Sequence, residues 1–341
     1  MMTDVKVYYD DDADLQYLED KTIGVIGYGN QGRAQALNMR DSGLEDVIIG
    51  NRRDDFWDQA RVDEFDVYPI SEAARRANVL LLLVPDEVAP DVFTDHIESH
   101  LQEDDVLDFA SGYNVTFGAI HPPTNVDVTL MAPRMIGEMV RALYEDGHGS
   151  PALLAVGQDH SGNAREIALA IGKAIGATRS GVIEATFDME TKTDLLTEQG
   201  LFPVILSALL AKYEVEVEEG IPPEIVLTEG YLSRELSYVF KQMSEIGILG
   251  QMPLHSGTSQ YGQLSRLDRM REGKFVLKYD LLKKYMRDRL DDISSGRFVK
   301  EWALAQEKDG RRLKELYGKY ERSEFIKDEQ RTLERLGLRK K

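Results

Sequence analysis

Short apolar runs separated by stretches of helical periodicity occupy the first half of the chain. Ile23, Val25 and Ile26 form the first run, residues 47–50, 79–84 and 106–109 follow, and 128–131 and 153–156 add two more before a change near 178–182. Strand-length apolar runs alternating with helical segments predict a parallel sheet covered by helices. Beyond Val182 the strand signals fade, and residues 187–210, 222–247 and 278–338 read as amphipathic or buried helices, predicting an all-α second half. The expected division is an α/β domain over residues 1–182 and a helical domain over 183–341, since a chain this long exceeds what one core usually serves. The charged tail from Gly310 onward reads as an exposed helix laced with opposite charges at helical spacing.

Between the first run and its following helix lies Gly27-Tyr28-Gly29-Asn30-Gln31-Gly32. Gly27 permits the tight turn, Gly29 removes the Cβ that would block a pyrophosphate, and Gly32 lets the helix pack closely on the strand. The unpaired amides and positive dipole end of that helix favour an anion. All six residues are therefore candidates for dinucleotide binding. Ribose recognition is expected at the end of the second run, in Gly50-Asn51-Arg52-Arg53-Asp54-Asp55. Arg52 and Arg53 suit a 2′-phosphate and favour NADP, whereas the carboxylates of Asp54 and Asp55 would repel it and keep NAD open.

The composition narrows the partners. With 60 acidic against 41 basic side chains, the formal net charge of -19 makes nucleic acid and anionic lipid poor partners. The absence of cysteine excludes disulfides and thiolate chemistry and suits a reducing cytoplasm. No apolar run reads as long enough to span a bilayer, and the acidic residues 1–14 lack the basic-then-apolar order of a secretory signal. The expectation is a soluble, cytoplasmic protein.

Residues 27–43 closely resemble the nucleotide-binding turn of ketol-acid reductoisomerases. Val84-Pro85-Asp86-Glu87, Met131-Ala132-Pro133, Ser161-Gly162, residues 179–183 and 194–199, Tyr261-Gly262 and Ser295-Gly296-Arg297-Phe298 follow in the family's order, so the resemblance covers nearly the whole chain. It implies an α/β Rossmann-type N-terminal domain, an all-α, knotted C-terminal domain, and homo-oligomers whose active sites are completed across a subunit interface. It also implies reduction of a small 2-keto or ketol acid, in the family an acetohydroxyacid of branched-chain amino-acid biosynthesis, with the nicotinamide near Pro85 and Ser111 and with Pro85 and Asp86 among the cofactor-binding candidates.

The same resemblance assigns a magnesium site, and here the chain departs from the family. Asp194 and Glu198, four apart on a helical pattern, match two magnesium-binding carboxylates, and Glu229 matches a third contributed by the partner subunit. The fourth falls on Ser233. Glu235 lies six residues past Glu229, about 240° round a continuous helix and off its face. Ser111, Thr116 and Glu138 stand at family histidines, and Arg134 at a family lysine. Ser111, Arg134 and Glu198 are thus the catalytic candidates, Asp194, Glu198 and Glu229 the metal candidates, and Ser233 and Ser256 the substrate-binding candidates. Serine cannot titrate near neutral pH, so reduction is better provided for than isomerisation. Two alternatives are a reductase-only paralogue acting on another 2-keto acid or an imine, and a catalytically silent nucleotide-binding paralogue.

Overall fold

A computed structural model describes residues 5–306 and 311–338. The expectations at residues 1–4, 307–310 and 339–341, the start of the charged tail at Gly310 among them, lie outside the described residues. Contacts divide the chain into two compact units, Met1–Thr193 and Asp194–Lys341.

The first unit is built on a nine-stranded sheet. In chain order the strands are β1 (Val7–Tyr8), β2 (Ile23–Ile26), β3 (Val47–Gly50), β4 (Asp66–Tyr68), β5 (Val79–Leu82), β6 (Val106–Phe109), β7 (Asp127–Pro133), β8 (Ala152–Gln158) and β9 (Val182–Glu184). Their spatial order is β1-β9-β8-β7-β6-β5-β2-β3-β4. Strand order reverses between β2 and β5, so a ligand crevice is expected beyond the carboxyl ends of those strands.

The sheet is mixed, which corrects the expected all-parallel arrangement. β7 and β8 run antiparallel, as do β1 and β9, while the other pairs are parallel. The helix Gly137–Glu145 returns the chain to the end of the sheet it has just left, and Pro133 pairs with Ala152.

β2, β3, β5 and β6 are buried on both faces, which is why they read as unbroken apolar runs. Ile23, Val25, Ile49 and Leu81 join one core with Ile167, Leu169 and Ile171, whereas Ile26, Ile48, Leu80 and Leu107 join another with Ala73, Phe93 and Ile97. Each fully buried aliphatic side chain contributes about 1.5–3 kcal/mol. Asp108 is the exception in this interior, at 0% exposure. Thr129 Oγ1 donates to its Oδ1 at 2.7 Å, its Oδ2 has no hydrogen-bond partner among the described residues, and burial pushes its carboxyl up to about 7.

The second unit is helical. Its longest element is one continuous helix, Phe187–Glu218, that begins in the first unit and is long and apolar enough by length and composition to cross a membrane. That corrects the reading that no such run exists. Inside it, Thr197–Leu201 widens to π geometry ahead of Pro203, which lacks an N–H to donate to the carbonyl of Gln199. The hydroxyl of Tyr285 donates to that carbonyl instead, at 2.9 Å. The expected 222–247 helix is broken: Arg234 has φ +67, and a new helix, Glu235–Ile246, starts after it. The rotation argument that set Glu235 off the face of Glu229 assumed a continuous helix and so does not apply. Tyr213, Val226 and Leu227 form a small core with Phe325, but Leu201, Phe202, Leu206, Val215 and Ile225 are exposed.

Candidate active site

β2 feeds the glycine turn as its sequence implies. Gly27 has φ +96, a conformation that favours glycine, and its N–H donates to Gly50 O at 2.9 Å. A Cβ on Gly32 would lie 1.9 Å from Gly27 O, whereas one on Gly29 would meet nothing within 4 Å. Gly32 thus serves close packing, and Gly29 faces open space. The helix Asn30–Asp41 begins with no side-chain cap, leaving its first amides for an anion. A cradle of this form fits a dinucleotide pyrophosphate. It opens on a cavity of about 320 Å³ lined by Gly29, Asn30, Gln31, Pro85, Asp86 and Ser111, among others.

The Tyr28 side chain turns away from the cradle. Its side chain is buried, edge-on to Phe65 at 5.8 Å, and its hydroxyl donates to Asp63 at 2.9 Å. Burial first, then Asp63, raises its pKa. Only its backbone is left to meet a dinucleotide.

At the ribose end, Asp54 rather than Asp55 organises the loop. Asp54 caps the helix Asp55–Val62, accepting from Phe56 N and Trp57 N. It also takes Asn51 Nδ2 at 2.9 Å and Arg52 Nε at 2.7 Å. Burial opposes its ionisation, but the hydrogen bond from Arg52 and the two amides outweigh burial and hold the carboxyl below its usual range. Arg52 is therefore partly neutralised. The Arg53 guanidinium lies over the Trp57 ring at 5.3 Å, and Asp55 sits at the helix start, lining a second cavity with Phe56 and Gln59.

Beyond the ends of β5 and β6, Ser111 Oγ donates to Asp86 Oδ2 at 3.3 Å, and Asn114 Nδ2 donates to Asp86 O at 3.1 Å. Burial and, second, the charge of Asp86 push the Tyr113 hydroxyl up to about 12, so it stays protonated. Beside this group sits a residue that the sequence reading passed over. Glu190, 2% exposed, accepts Gly112 N and Arg134 Nη1, each at 2.8 Å. A Cβ on Gly112 would strike Thr191 Oγ1 and Phe187 O at 2.6 and 2.7 Å, so only glycine brings this amide so close. Thr116 meets Thr191 through their hydroxyls at 3.0 Å. The charge-assisted bonds that Glu190 accepts are about twice as strong as neutral ones, and the one from Arg134 holds that guanidinium against Glu190.

Glu190, Asp194 and Glu198 recur at four-residue spacing along the Phe187–Glu218 helix. Such hard oxygen donors suit magnesium. Among the described residues, however, no group of three or more His, Cys, Asp or Glu side chains is arranged to hold a metal ion. Glu229 lies in the π segment Thr228–Leu232. Ser233 is at the helix break, where its Oγ accepts Glu235 N at 3.3 Å. Ser256 caps the helix Gly257–Arg271, accepting from Ser259 N.

A sheet whose order reverses beside a glycine turn, an uncapped helix start and a cavity at the strand ends define a Rossmann-type dinucleotide-binding protein. Comparison with known proteins carries the assignment further. The family model described as "Acetohydroxy acid isomeroreductase, NADPH-binding domain" matches residues 17–181, and that described as "Ketol-acid reductoisomerase, C-terminal domain" matches residues 187–336. The chain is 43% identical over 335 residues to the ketol-acid reductoisomerase (NADP(+)) of Methanopyrus kandleri, covering 98% of this chain and 99% of that protein. It is 44% identical to the enzyme of the same name from Pyrococcus abyssi, covering 96% of each. The solved structure of an NADH-preferring ketol-acid reductoisomerase from an uncultured archean superposes with a TM-score of 0.89 at 33% identity, over 96% of this chain and 98% of that one. This chain belongs to the ketol-acid reductoisomerase family, and it is an oxidoreductase of that type.

Proposed function

We propose that the chain reduces small 2-keto or ketol acids in branched-chain amino-acid biosynthesis, with the dinucleotide on the 27–32 turn and magnesium held by Asp194, Glu198 and Glu229 of the partner subunit. The observation that carries this reading is the cavity joining Gly29, Asn30 and Gln31 to Pro85, Asp86 and Ser111. The dinucleotide, when bound, supplies hydride, and magnesium supplies positive charge to the substrate oxygens. The chain's own residues orient. Asn30 and Gln31 offer amides to the pyrophosphate, and Ser111, its proton directed to Asp86, bounds the cavity wall. Arg134, pinned by Glu190, offers positive charge to a carboxylate or developing alkoxide. Neither Ser111 nor Thr116 replaces an imidazole as proton carrier near neutral pH, which supports reduction being better served than isomerisation.

A shared site requires an oligomer. Leu201, Phe202, Leu206, Val215 and Ile225 are exposed, and a second copy of the chain is their proposed cover. The absence of cysteine supports work in a reducing cytoplasm.

The test follows NADPH and NADH oxidation with 2-acetolactate and, separately, with the rearranged 3-hydroxy-2-keto acid, each with and without magnesium. Activity on both substrates that depends on magnesium is expected, with the rearranged acid turned over faster. Activity on the second alone identifies a reductase-only enzyme, and turnover of neither sinks the reading.

Cofactor choice is tested at Asp54. Its carboxylate occupies the helix start and engages Arg52, which weakens both attractions for a 2′-phosphate. Serine keeps the cap and removes the charge. Asp54→Ser is expected to shift the NADPH-to-NADH ratio of kcat/KM about tenfold toward NADPH. An unchanged ratio would remove Asp54 from the ribose site.

A further inference from the structure

The loop that follows β7 is pressed against the nucleotide turn. Gln31 Nε2 donates to Met135 O at 2.8 Å. Two residues later the approach becomes backbone on backbone, for a Cβ on Gly137 would lie 2.0 Å from Asn30 O, 2.3 Å from Asn30 C and 2.8 Å from Gln31 N. Gly137 is buried at the first position of the helix Gly137–Glu145. That helix cannot back away, because it is tied to the helix Asn30–Asp41. Arg141 Nη1 donates to Asn38 Oδ1 at 2.9 Å and its Nη2 to Asp41 Oδ2 at 2.6 Å, while Asn38 Nδ2 reaches Val140 O at 3.4 Å. Peptide groups, unlike the ends of flexible side chains, cannot swing aside. A methyl at 137 must therefore displace the Asn30 peptide itself.

We propose that Gly137 is a positioning residue for the dinucleotide, its missing side chain setting the orientation of the Asn30 and Gln31 peptides that face the pyrophosphate. The inference rests on the dinucleotide binding at the 27–32 turn. It adds a second determinant of that turn's geometry, supplied 105 residues after Gly32 in the sequence. The same loop carries Arg134, which Glu190 holds at 2.8 Å, so one short segment spans the cofactor turn and the buried carboxylate. Gly137 also lines the larger cavity beside Gly29 and Asn30, and the role proposed for it is exerted through the Asn30 peptide that its backbone abuts.

The experiment measures dissociation constants for NADPH and NADH by fluorescence, without turnover, in the full chain. Gly137→Ala is expected to raise Kd and KM for the dinucleotide about tenfold or more, with a smaller fall in kcat. Gly172→Ala is the control: its Cβ would meet Met131 Cε at 2.9 Å in the same unit, so it should lower Tm while leaving Kd unchanged. Arg141→Met loosens the tie between the two helices, which lets the 137 backbone back away from the Asn30 peptide without substituting a turn residue, and is expected to raise Kd about threefold. It keeps the proposal open to refutation if Gly137→Ala fails to fold. Unaltered Kd in Gly137→Ala or, should that variant not fold, in Arg141→Met, overturns the role, and so does an equal rise in Gly172→Ala. Absence of binding by the unsubstituted protein overturns the dinucleotide site and this role with it.

Discussion

Subunits of two inactive variants, Glu198→Gln and Glu229→Gln, are expected to regain activity when mixed and allowed to exchange. Each substitution replaces a charged oxygen donor by a neutral one that magnesium binds poorly, and each alone should lower kcat by about 10²–10³-fold. If every site combines Glu198 of one copy with Glu229 of another, a mixed dimer carries one site with both defects and one with neither. Random exchange makes half the dimers mixed, so recovery to about a quarter of the unsubstituted activity is expected for a two-fold assembly. The basis of the test is the proposed division of the ligands, with Asp194 and Glu198 from one copy and Glu229 from the other. A mixture that stays inactive while native mass measurements detect mixed dimers would rule out the shared site. Recovery that also occurs without exchange would point instead to restoration within one chain.

Asp108→Asn is expected to change how stability depends on pH. Burial pushes the Asp108 carboxyl up to about 7 in the fold, against 3.8 ordinarily, because it disfavours the charged form more than the Thr129 hydroxyl and the Met131 backbone favour it. Below pH 4 the group is neutral in both folded and unfolded chains and costs nothing. As pH rises towards 7 the unfolded chain releases the proton while the folded one keeps it, so stability falls by about 1.4 kcal/mol per pH unit. The loss levels off near 4 kcal/mol once the folded form also ionises, above pH 7 (roughly three units at that slope). Asparagine cannot ionise. Its Oδ1 can still accept from Thr129, but its amide takes the position of the unpartnered Oδ2, at a pH-independent cost of about 1–3 kcal/mol. Urea unfolding at pH 5 and pH 7 should therefore show the variant gaining about 2–3 kcal/mol on the unsubstituted protein. Parallel stability profiles would mean that Asp108 is ionised in the fold.

The outline of both regions was legible because local period and buried strands coincide. β3 and β6 lie where the apolar runs stand, since neighbours cover them on both faces. β1 and β4 left no such run: Val7 is exposed and Asp66 heads a half-buried strand. An edge strand can be short and partly wet, and nothing in its composition then separates it from a loop. The direction of β8 was equally hidden, because an apolar run carries no sign of which way it is paired.

The candidate site divides in the same way. Glycine spacing marked the turn at 27–32, since only backbone freedom and close approach demand it. Glu190 was reachable as the first of three carboxylates at four-residue spacing, but its partners were not, because Gly112 lies 78 residues away and Arg134 56. Nor did the helical pattern through 222–247 contain a glycine or proline at Ser233 and Arg234 to warn of the break there.

By itself the sequence determined an α/β region with a nucleotide turn, an all-α region after it, and a carboxylate pair on a helix, since each depends on residues within a few positions of one another. Only the tertiary structure decided that the sheet is mixed, that Tyr28 turns into the core, that Asp54 holds Arg52 while capping a helix, and that Glu190 gathers Arg134 and Gly112. These outcomes depend on which distant segments come within bonding distance, and chain closure over such separations is set by the packing of the whole fold.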